Sequence, residues 1–573
     1  MKTFVLAAVN AKFIHSSLAA RSLARFAHNL ERHHLITAEF TINQTQDYIL
    51  DELFRMQPEV LFFSAYIWNI EVIRQLCPDL KKILPDCLIA LGGPEVSYES
   101  RTFLRDNPAV DLILRGEGEL TFTELLDRLE GEALPAFEGI KGIAYRNGDE
   151  IEVTPNRDPL DLALLPFPYD EGCKDAGHQI LYYESSRGCP YRCAYCLSSV
   201  EKAVRFAPLD KVFADLQRFL DARVPQVKFV DRTFNCDRNH TLAIWRYLAE
   251  HDNGITNFHF ELTADLLDDE MIAFLRSLRP GLFQFEIGVQ STNPQTLLSI
   301  NRNVSFDRLA RVVRAVKSGG NIHQHLDLIA GLPQEDYRSF GRSFDDVYAL
   351  QPEQLQLGFL KVLKGSPLHA RREEFGIVYR DCAPYEVLAT RWLPHEDMMR
   401  LSAIEEMVEL FYNSGKFISS IAYLTGCFPS PFACYESLAQ FWVESGCHRT
   451  SHSRLELCEL LRRFVLSQPQ IDEQAWMWRL KFDLCRHERP KKLPDWLHPD
   501  QFLVYRERIL AFFSQESNLE RYLPQYRNCD CRYIAKVAHI EVFGNEGENC
   551  QAVLFDYDRR DLLGNAAYYL IEL

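Results

Sequence analysis

Ser186-Arg-Gly-Cys-Pro-Tyr-Arg-Cys-Ala-Tyr-Cys196 sets Cys189, Cys193 and Cys196 at CxxxCxxC spacing, with an aromatic directly before the last cysteine. Three thiolates this close on one loop can hold three irons of a four-iron cluster. The fourth iron is then open to a small molecule, whereas clusters used for simple electron transfer usually have a cysteine at every position. A zinc site would require a fourth ligand at matching spacing, which the loop lacks. The cysteines follow a strand-like run at 180–186, and similar runs recur at 226–231, 257–263, 282–289, 322–329 and 354–360, each followed by a helical pattern or a loop. Six such units predict a partial (β/α)6 barrel over 176–390, with its chemistry at the carboxyl ends of the strands.

The polar residues at those ends recur in a recognisable order. The second run ends Phe229-Val-Asp231-Arg232, the third Phe258-His-Phe-Glu261-Leu-Thr-Ala-Asp265, the fourth Phe285-Glu-Ile-Gly288-Val-Gln290-Ser291 and the fifth His325-Leu-Asp327-Leu-Ile-Ala-Gly331-Leu-Pro333. With the cysteine loop, its Gly188 and its Tyr195, these segments resemble the radical S-adenosylmethionine (SAM) superfamily. The resemblance implies a [4Fe-4S] cluster on Cys189, Cys193 and Cys196 whose open iron chelates SAM. One electron then cleaves SAM to a 5′-deoxyadenosyl radical. It also implies SAM contacts at Tyr195, at Glu261 near the ribose, along Gly288, Gln290 and Ser291, and at Asp327 near the adenine. The Gly-Gly-Glu that meets the SAM amino group in that family is missing after the second strand, and Asp231 is its substitute candidate. Asp265 and Asp327 read equally well as helix caps.

Ahead of the barrel, residues 1–135 alternate strand candidates (3–9, 36–42, 59–65, 87–91 and 110–114) with amphipathic stretches. This rhythm predicts a parallel, doubly wound, Rossmann-like sheet whose ligand sits beyond the strand carboxyl ends. The loops there are Asn10–His15, Ser64–Asn69, Gly92-Gly-Pro-Glu95 and Arg115-Gly-Glu-Gly-Glu119. Their order and spacing before a radical SAM loop resemble the cobalamin-binding domain of class B radical SAM proteins. On that resemblance Ser64, Tyr66, Gly92, Gly93, Pro94, Gly116, Glu117 and Gly118 are the cobalamin contacts. The DxHxxG signature of a lower axial histidine is absent, since Phe13 stands where His15 would need an aspartate. Cobalamin is therefore expected without a histidine from that motif. Residues 136–175 read as a hairpin around Asn147-Gly148 and a Pro/Asp/Leu-rich linker.

The fold class is thus α/β: a Rossmann-like domain, a partial TIM-like barrel, and a mixed, mainly helical C-terminal domain over 391–573. Helical periodicity runs from Leu393 to Tyr412, and Asp556–Asp561 reads as a hairpin turn. With Pro384-Tyr-Glu-Val-Leu388 and Arg391-Trp-Leu393, the whole chain resembles a group of cobalamin-binding radical SAM proteins that have their own C-terminal domain. That domain is expected to cover the open side of the barrel and shape the substrate pocket. Its eight cysteines, including the tight Cys529-Asp-Cys531, match no auxiliary-cluster spacing and read as free thiols packed as small apolar groups.

A net charge of −17 disfavours nucleic acid as a partner, because the surface as a whole does not attract phosphate. Sixteen cysteines in 573 residues do not make a dense disulfide framework. The apolar N-terminal run ends at Asn10, shorter than a secretory core, and no run is long enough to span a membrane, so a cytoplasmic protein is expected. The leading reading is a cobalamin-dependent radical SAM methyltransferase acting on an unactivated carbon. Its substrate is an unknown small molecule, peptide or nucleoside, and its electrons come from a low-potential donor such as flavodoxin or ferredoxin. A cyclase or rearrangement enzyme with the same cofactors is the first alternative, and a cobalamin- or redox-responsive binding protein the second. An RNA methylthiotransferase fits poorly, because only Cys77 and Cys87 precede residue 150.

Overall fold

The computed structural model describes the chain except for residues 1, 28–33, 130–136, 171–172, 174–176, 178, 201–202, 491–492, 498–501, 528 and 545–549. The first sheet contains Thr3–Asn10 (β1), His34–Thr41 (β2), Val60–Ser64 (β3), Leu88–Gly92 (β4), Leu112–Leu114 (β5), Ile143–Asn147 (β6) and Glu150–Val153 (β7), in the order β2-β1-β3-β4-β5-β6-β7. β1 to β5 are parallel. Along β1, Val5, Ala7 and Val9 enter one apolar core while Phe4, Leu6 and Ala8 enter the other. A strand buried on both faces explains why this run is apolar throughout. The hairpin expected at Asn147-Gly148 forms, but it is not a detached connector. β6 pairs antiparallel with β5, and the Arg146 guanidinium donates to the Val110 carbonyl at 2.9 Å, so the hairpin extends the sheet.

The second sheet begins with Leu181–Tyr183 (β8). A short antiparallel pair follows, Ser186–Arg187 (β9) with Arg205–Phe206 (β10). Gln226–Phe229 (β11), Asn257–Leu262 (β12), Phe283–Gln290 (β13), His323–Ala330 (β14) and Gln354–Phe359 (β15) then complete six parallel strands in the order β15-β14-β13-β12-β11-β8. Phe283, Phe285, Ile287 and Val289 are buried in the large core, while the intervening Gln284, Glu286, Gly288 and Gln290 remain partly accessible. The period of two separates an outer apolar wall from a polar interior.

The strands Val378–Tyr379 (β16) and Val387–Ala389 (β17) form a small antiparallel pair. The helix His395–Val408 continues through a π turn to Asn413, close to the expected limits. Asn413 both accepts from and donates to the Leu355 backbone of β15, at 2.9 Å each way. These tail helices thus close against the β15 edge and share one apolar core with the barrel, reaching as far as Leu497. Ala538–Phe543 (β18), Gln551–Arg560 (β19) and Ala566–Ile571 (β20) form a separate antiparallel sheet with its own core. The run Asp556–Asp561 is therefore mostly strand, and the turn falls at Asp561–Gly564, where the Gly564 N–H reaches the Asp561 carbonyl. Asp556 is buried there and accepts from Tyr526 and Gln525, which keeps a charged group inside the ladder. The tail cysteines at 427, 434, 447, 458 and 529 are free thiols, and the side chain of Cys531 lies outside the described residues. Among the described residues, no helix is long and apolar enough to cross a membrane.

Candidate active site

The cysteine loop leaves the carboxyl end of the first barrel strand. Gly188 sits at φ +103°, and a side chain there would overlap the Ala203 carbonyl. Cys193 is buried, while Cys189 and Cys196 are partly exposed. Burial pushes the Cys193 thiol up, and the nearby Arg302 guanidinium pulls it back toward the thiolate. Among the described residues, the one group of three possible ligands with donor atoms within 4.8 Å of one another is Cys485, His539 and Glu541. The three loop thiols do not all lie within that distance of one another.

Asp231, the substitute candidate for the SAM amino group, is engaged by its own neighbours. Its carboxylate accepts from the Ser185 N–H at 3.0 Å and from the Ser185 and Ser186 hydroxyls at 2.6 Å each. It is about 1% exposed, and burial pushes it up to about 6 despite those bonds. Its oxygens are thus spent on pinning the entry to the cysteine loop. Ser291 is also turned away: its hydroxyl donates to buried Glu335 at 2.6 Å and accepts from the Asn293 N–H. Asp327 lies within β14, so it is not a helix cap, and it pairs with His325 at 3.0 Å. Burial raises Asp327, and His325 partly offsets the rise.

Glu261 lies near the end of β12, and Gly288 and Gln290 near the end of β13. Among the described residues, Glu261 has no closer ion pair than Lys228 at 3.9 Å, and burial pushes it up to about 7. Gln290, at φ +72°, folds over Gly288, where any larger residue would collide with its amide. The Gln290 Oε1 atom is buried without a partner, an orphan acceptor that a ligand donor would satisfy. Tyr195 is partly buried beside Cys193, and burial pushes its hydroxyl up.

Sequence reasoning missed the polar floor beneath these groups. Lys228 pairs with Glu286 at 2.8 Å, and His259 meets the same carboxylate at 3.2 Å. Burial would raise Glu286, but His259 and Lys228 outweigh it and hold the carboxyl far below its usual range. The alternation Gln284/Glu286/Gly288/Gln290 and His323/His325/Asp327 was the available signal, because only an inward barrel face carries polar groups at every second strand position. Arg302 was missed as well. It lies within reach of Cys193 and donates to the Gly288 carbonyl.

At the first sheet, Ser64 and Gly92 are register partners, Gly92 also pairs with Leu114, and Tyr66, Gly93, Pro94 and Gly116 follow in the adjoining loops. Gly93, at φ +116°, is required by the Ala65 backbone packed against it, so its role is to let two loops approach rather than to admit a ligand. A side chain at Gly116 would enter open space. Phe13, Ile14, Trp68, Tyr98 and Leu120 are all exposed in the segments leaving β1, β3, β4 and β5, and Tyr66 stacks on Trp68 at 4.5 Å. An apolar rim around a glycine-lined edge fits a broad flat ligand such as a corrin. Glu117 is diverted from that edge. Its carboxylate binds Arg205, the Leu160 N–H at 2.7 Å and, at 3.4 Å, Arg187. Burial would raise Glu117, but these donors outweigh it and lower the group. Gly118 packs against Leu23.

The two carboxyl edges meet. Arg187, two residues before Cys189, pairs with Glu119 and Glu184 at 2.7 Å as well as with Glu117. The Ile180 N–H donates to the Ile14 carbonyl at 2.7 Å, and Tyr182 bonds His15 at 2.6 Å, so the loop after β1 docks beside β8. Tyr385 donates to buried Glu95 at 2.8 Å from the opposite side.

Residues 5–126 match the model of the B12 binding domain and residues 183–347 that of the radical SAM superfamily. Residues 373–555 match a family described as a protein of unknown function, DUF4080. The chain is 28% identical over 355 residues to the cobalamin-dependent radical SAM methyltransferase TokK of Streptomyces tokunonensis, covering 56% of this chain and 50% of that protein. It is 25% identical over 346 residues to the anaerobic magnesium-protoporphyrin IX monomethyl ester cyclase of Synechocystis sp., covering 56% and 66%. The chain spans about half the length of the first curated relatives it matches. The solved structure of the cobalamin-dependent SAM radical enzyme OxsB, with aqua-cobalamin and SAM bound, shares the fold at a TM-score of 0.59 and 15% identity, covering 92% of this chain and 84% of that one. The cofactors expected from the sequence, a [4Fe-4S] cluster, SAM and cobalamin, are those that this pairing of domains uses. A cysteine loop facing a glycine-lined, apolar-rimmed sheet edge, together with both matches, makes the chain a radical SAM protein with a cobalamin-binding domain ahead of its barrel.

Proposed function

We propose that this protein is a cobalamin-dependent radical SAM methyltransferase acting on an unactivated carbon. The observation that carries the reading is the Arg187 junction, where the residue leading into the cysteine loop is ion-paired to the loop after β5. Chemistry begun at one sheet edge is then next to whatever the other edge holds, and proximity is the main lever when a carbon radical must be intercepted. When bound, the cluster supplies the electron, SAM the hydrogen-abstracting radical and the corrinoid the methyl group. Cys189, Cys193 and Cys196 would ligate the cluster. Glu261, Gly288, Gln290 and Asp327 would line SAM, with Tyr195 beside it. Ser64, Tyr66, Gly92, Pro94 and Gly116 would border the corrin, with Gly93 and Gly118 shaping its loops. Asp231, Ser291 and Glu117 would hold those loops in place without touching ligand. The tail helices against β15 would narrow access for an organic substrate, and a low-potential flavodoxin or ferredoxin would supply electrons.

The test is to give methyl-labelled SAM to anaerobically loaded protein carrying reduced cobalamin and to follow the label. Label on the bound cobalamin supports methyl transfer. Deoxyadenosine formation with unlabelled cobalamin would replace it with a cyclisation or rearrangement, the chemistry named for the Synechocystis relative.

A further inference from the structure

Arg302 is a part-buried cation that its surroundings leave incompletely matched. The segment carrying it follows the short helix Pro294–Ser299 and is tied to the cysteine loop by the backbone bond from the Ala194 N–H to the Ile300 carbonyl, at 2.9 Å. Its own N–H is fixed to the Leu297 carbonyl at 2.8 Å. One arm of the guanidinium donates to the Gly288 carbonyl, and the other points at the Cys193 sulfur from 3.7 Å. The Nε atom is buried without an acceptor. Among the described residues, no carboxylate lies within ion-pair distance of it. The charged or titratable groups around it include Tyr195, Cys193, Asp265 and Tyr191.

Taking part of a guanidinium out of water with no paired anion is unfavourable. The cost is offset if the neighbouring thiolate belongs to a cluster that carries net negative charge and becomes more negative on reduction. Hydrogen bonds to cluster sulfurs and local net charge are the terms that set such a potential. We propose that Arg302 is a positioning residue that donates to the Cys193 sulfur and raises the reduction potential of the cluster. This rests on the reading that the three loop cysteines hold that cluster. Arg302 also ties the Cys193 sulfur to the Gly288 carbonyl, so the cluster edge and the strand that would line SAM are held by one side chain.

The experiment is an EPR-monitored redox titration of the anaerobically reconstituted full-length chain without SAM, with iron and sulfide measured on every sample. Wild type, Arg302→Met, Arg302→Lys and Arg302→Gln are compared. At the wild-type midpoint, Arg302→Met is expected to have a reduced-to-oxidised ratio at least tenfold lower, a shift of about 59 mV for a one-electron couple. Arg302→Lys, which keeps the charge but loses the fork, is expected between the two. A midpoint for Arg302→Met equal to wild type, with full iron content, would overturn the inference. If that variant fails to take up iron, Arg302→Lys and Arg302→Gln decide the question, and wild-type midpoints in both would overturn it. Cys193→Ala provides the separate control. Unchanged iron content and an unchanged EPR signal there would remove the cluster reading itself, whatever the Arg302 variants do.

Discussion

Asp231 and Glu261 follow neighbouring strands, yet only Glu261 keeps oxygens free for a ligand. Three donors from Ser185 and Ser186 converge on Asp231, so Asp231→Ala would leave them buried and unpaired, at about 1–3 kcal/mol for each group so stranded. The expected outcome is a lower melting temperature and less iron per chain, with SAM affinity of the iron-loaded fraction unchanged; calorimetry, iron analysis and equilibrium dialysis separate these effects. Glu261 should behave in the opposite way, with Glu261→Gln keeping its iron but binding SAM at least tenfold more weakly. The pH dependence follows from its position among Arg232, Glu286, Lys228 and Asp327, where burial pushes it up to about 7. An acceptor carboxylate must be ionised, so a group with a raised pKa gains its proton as pH falls through 7. SAM binding is therefore expected to weaken by up to about tenfold per pH unit below 7, and to lose that dependence in Glu261→Gln. The cysteines and Gln290 were legible in the sequence because their identity and spacing carry chemistry by themselves. Arg302 was not, because its partners Cys193 and Gly288 lie far from it along the chain and nothing local marks the meeting point.

The strands were legible for a physical reason. Each parallel strand of these sheets is buried on at least one face, so its apolar run or alternation is imposed by packing, and β1 to β5, β8 and β11 to β15 appear close to their expected places. What escaped was how the elements dock. The hairpin β6–β7 reads as a free connector until its pairing with β5 is known. The Gly116–Glu119 loop reads as a ligand loop, although its two carboxylates are spent on Arg187 and Arg205. Arg187→Ala would strand Glu119 and Glu184 in a largely dry junction, a loss on the order of 3 kcal/mol, while Glu117 keeps Arg205 and the Leu160 N–H. It is expected to lower both iron content and cobalamin retention on desalting, because the junction belongs to both sheets. Loss of one without the other would show that the edges act independently. Gly93→Ala forces a left-handed backbone and a clash with Ala65 on a residue with a side chain, so urea unfolding should show a loss of about 1–3 kcal/mol or more.

Across the whole molecule, the apolar core runs without a break from the barrel into the helices up to Leu497, and a second core serves the β18–β20 sheet. A chain cut at 390 would expose the barrel face that packs on Phe432 and Tyr435, and is expected to aggregate. A chain cut just beyond 497 would remove Glu541 from fully buried Lys481 and open the cluster of Cys485 with Val553 and Phe555, so calorimetry should show a lower melting temperature. The sequence reading placed a boundary where helical periodicity begins, since periodicity reports local structure and does not reveal which core a helix joins. At this scale the central claim is that a cluster on the cysteine loop and cobalamin on the opposing sheet edge act together on SAM. It is tested most directly by mass spectrometry of the SAM products from anaerobically reconstituted protein under a low-potential reductant, with and without cobalamin. The expected result is 5′-deoxyadenosine that disappears in Cys193→Ala, joined by S-adenosylhomocysteine only when cobalamin is bound. Neither product, from protein with an intact cluster and both ligands bound, would contradict it.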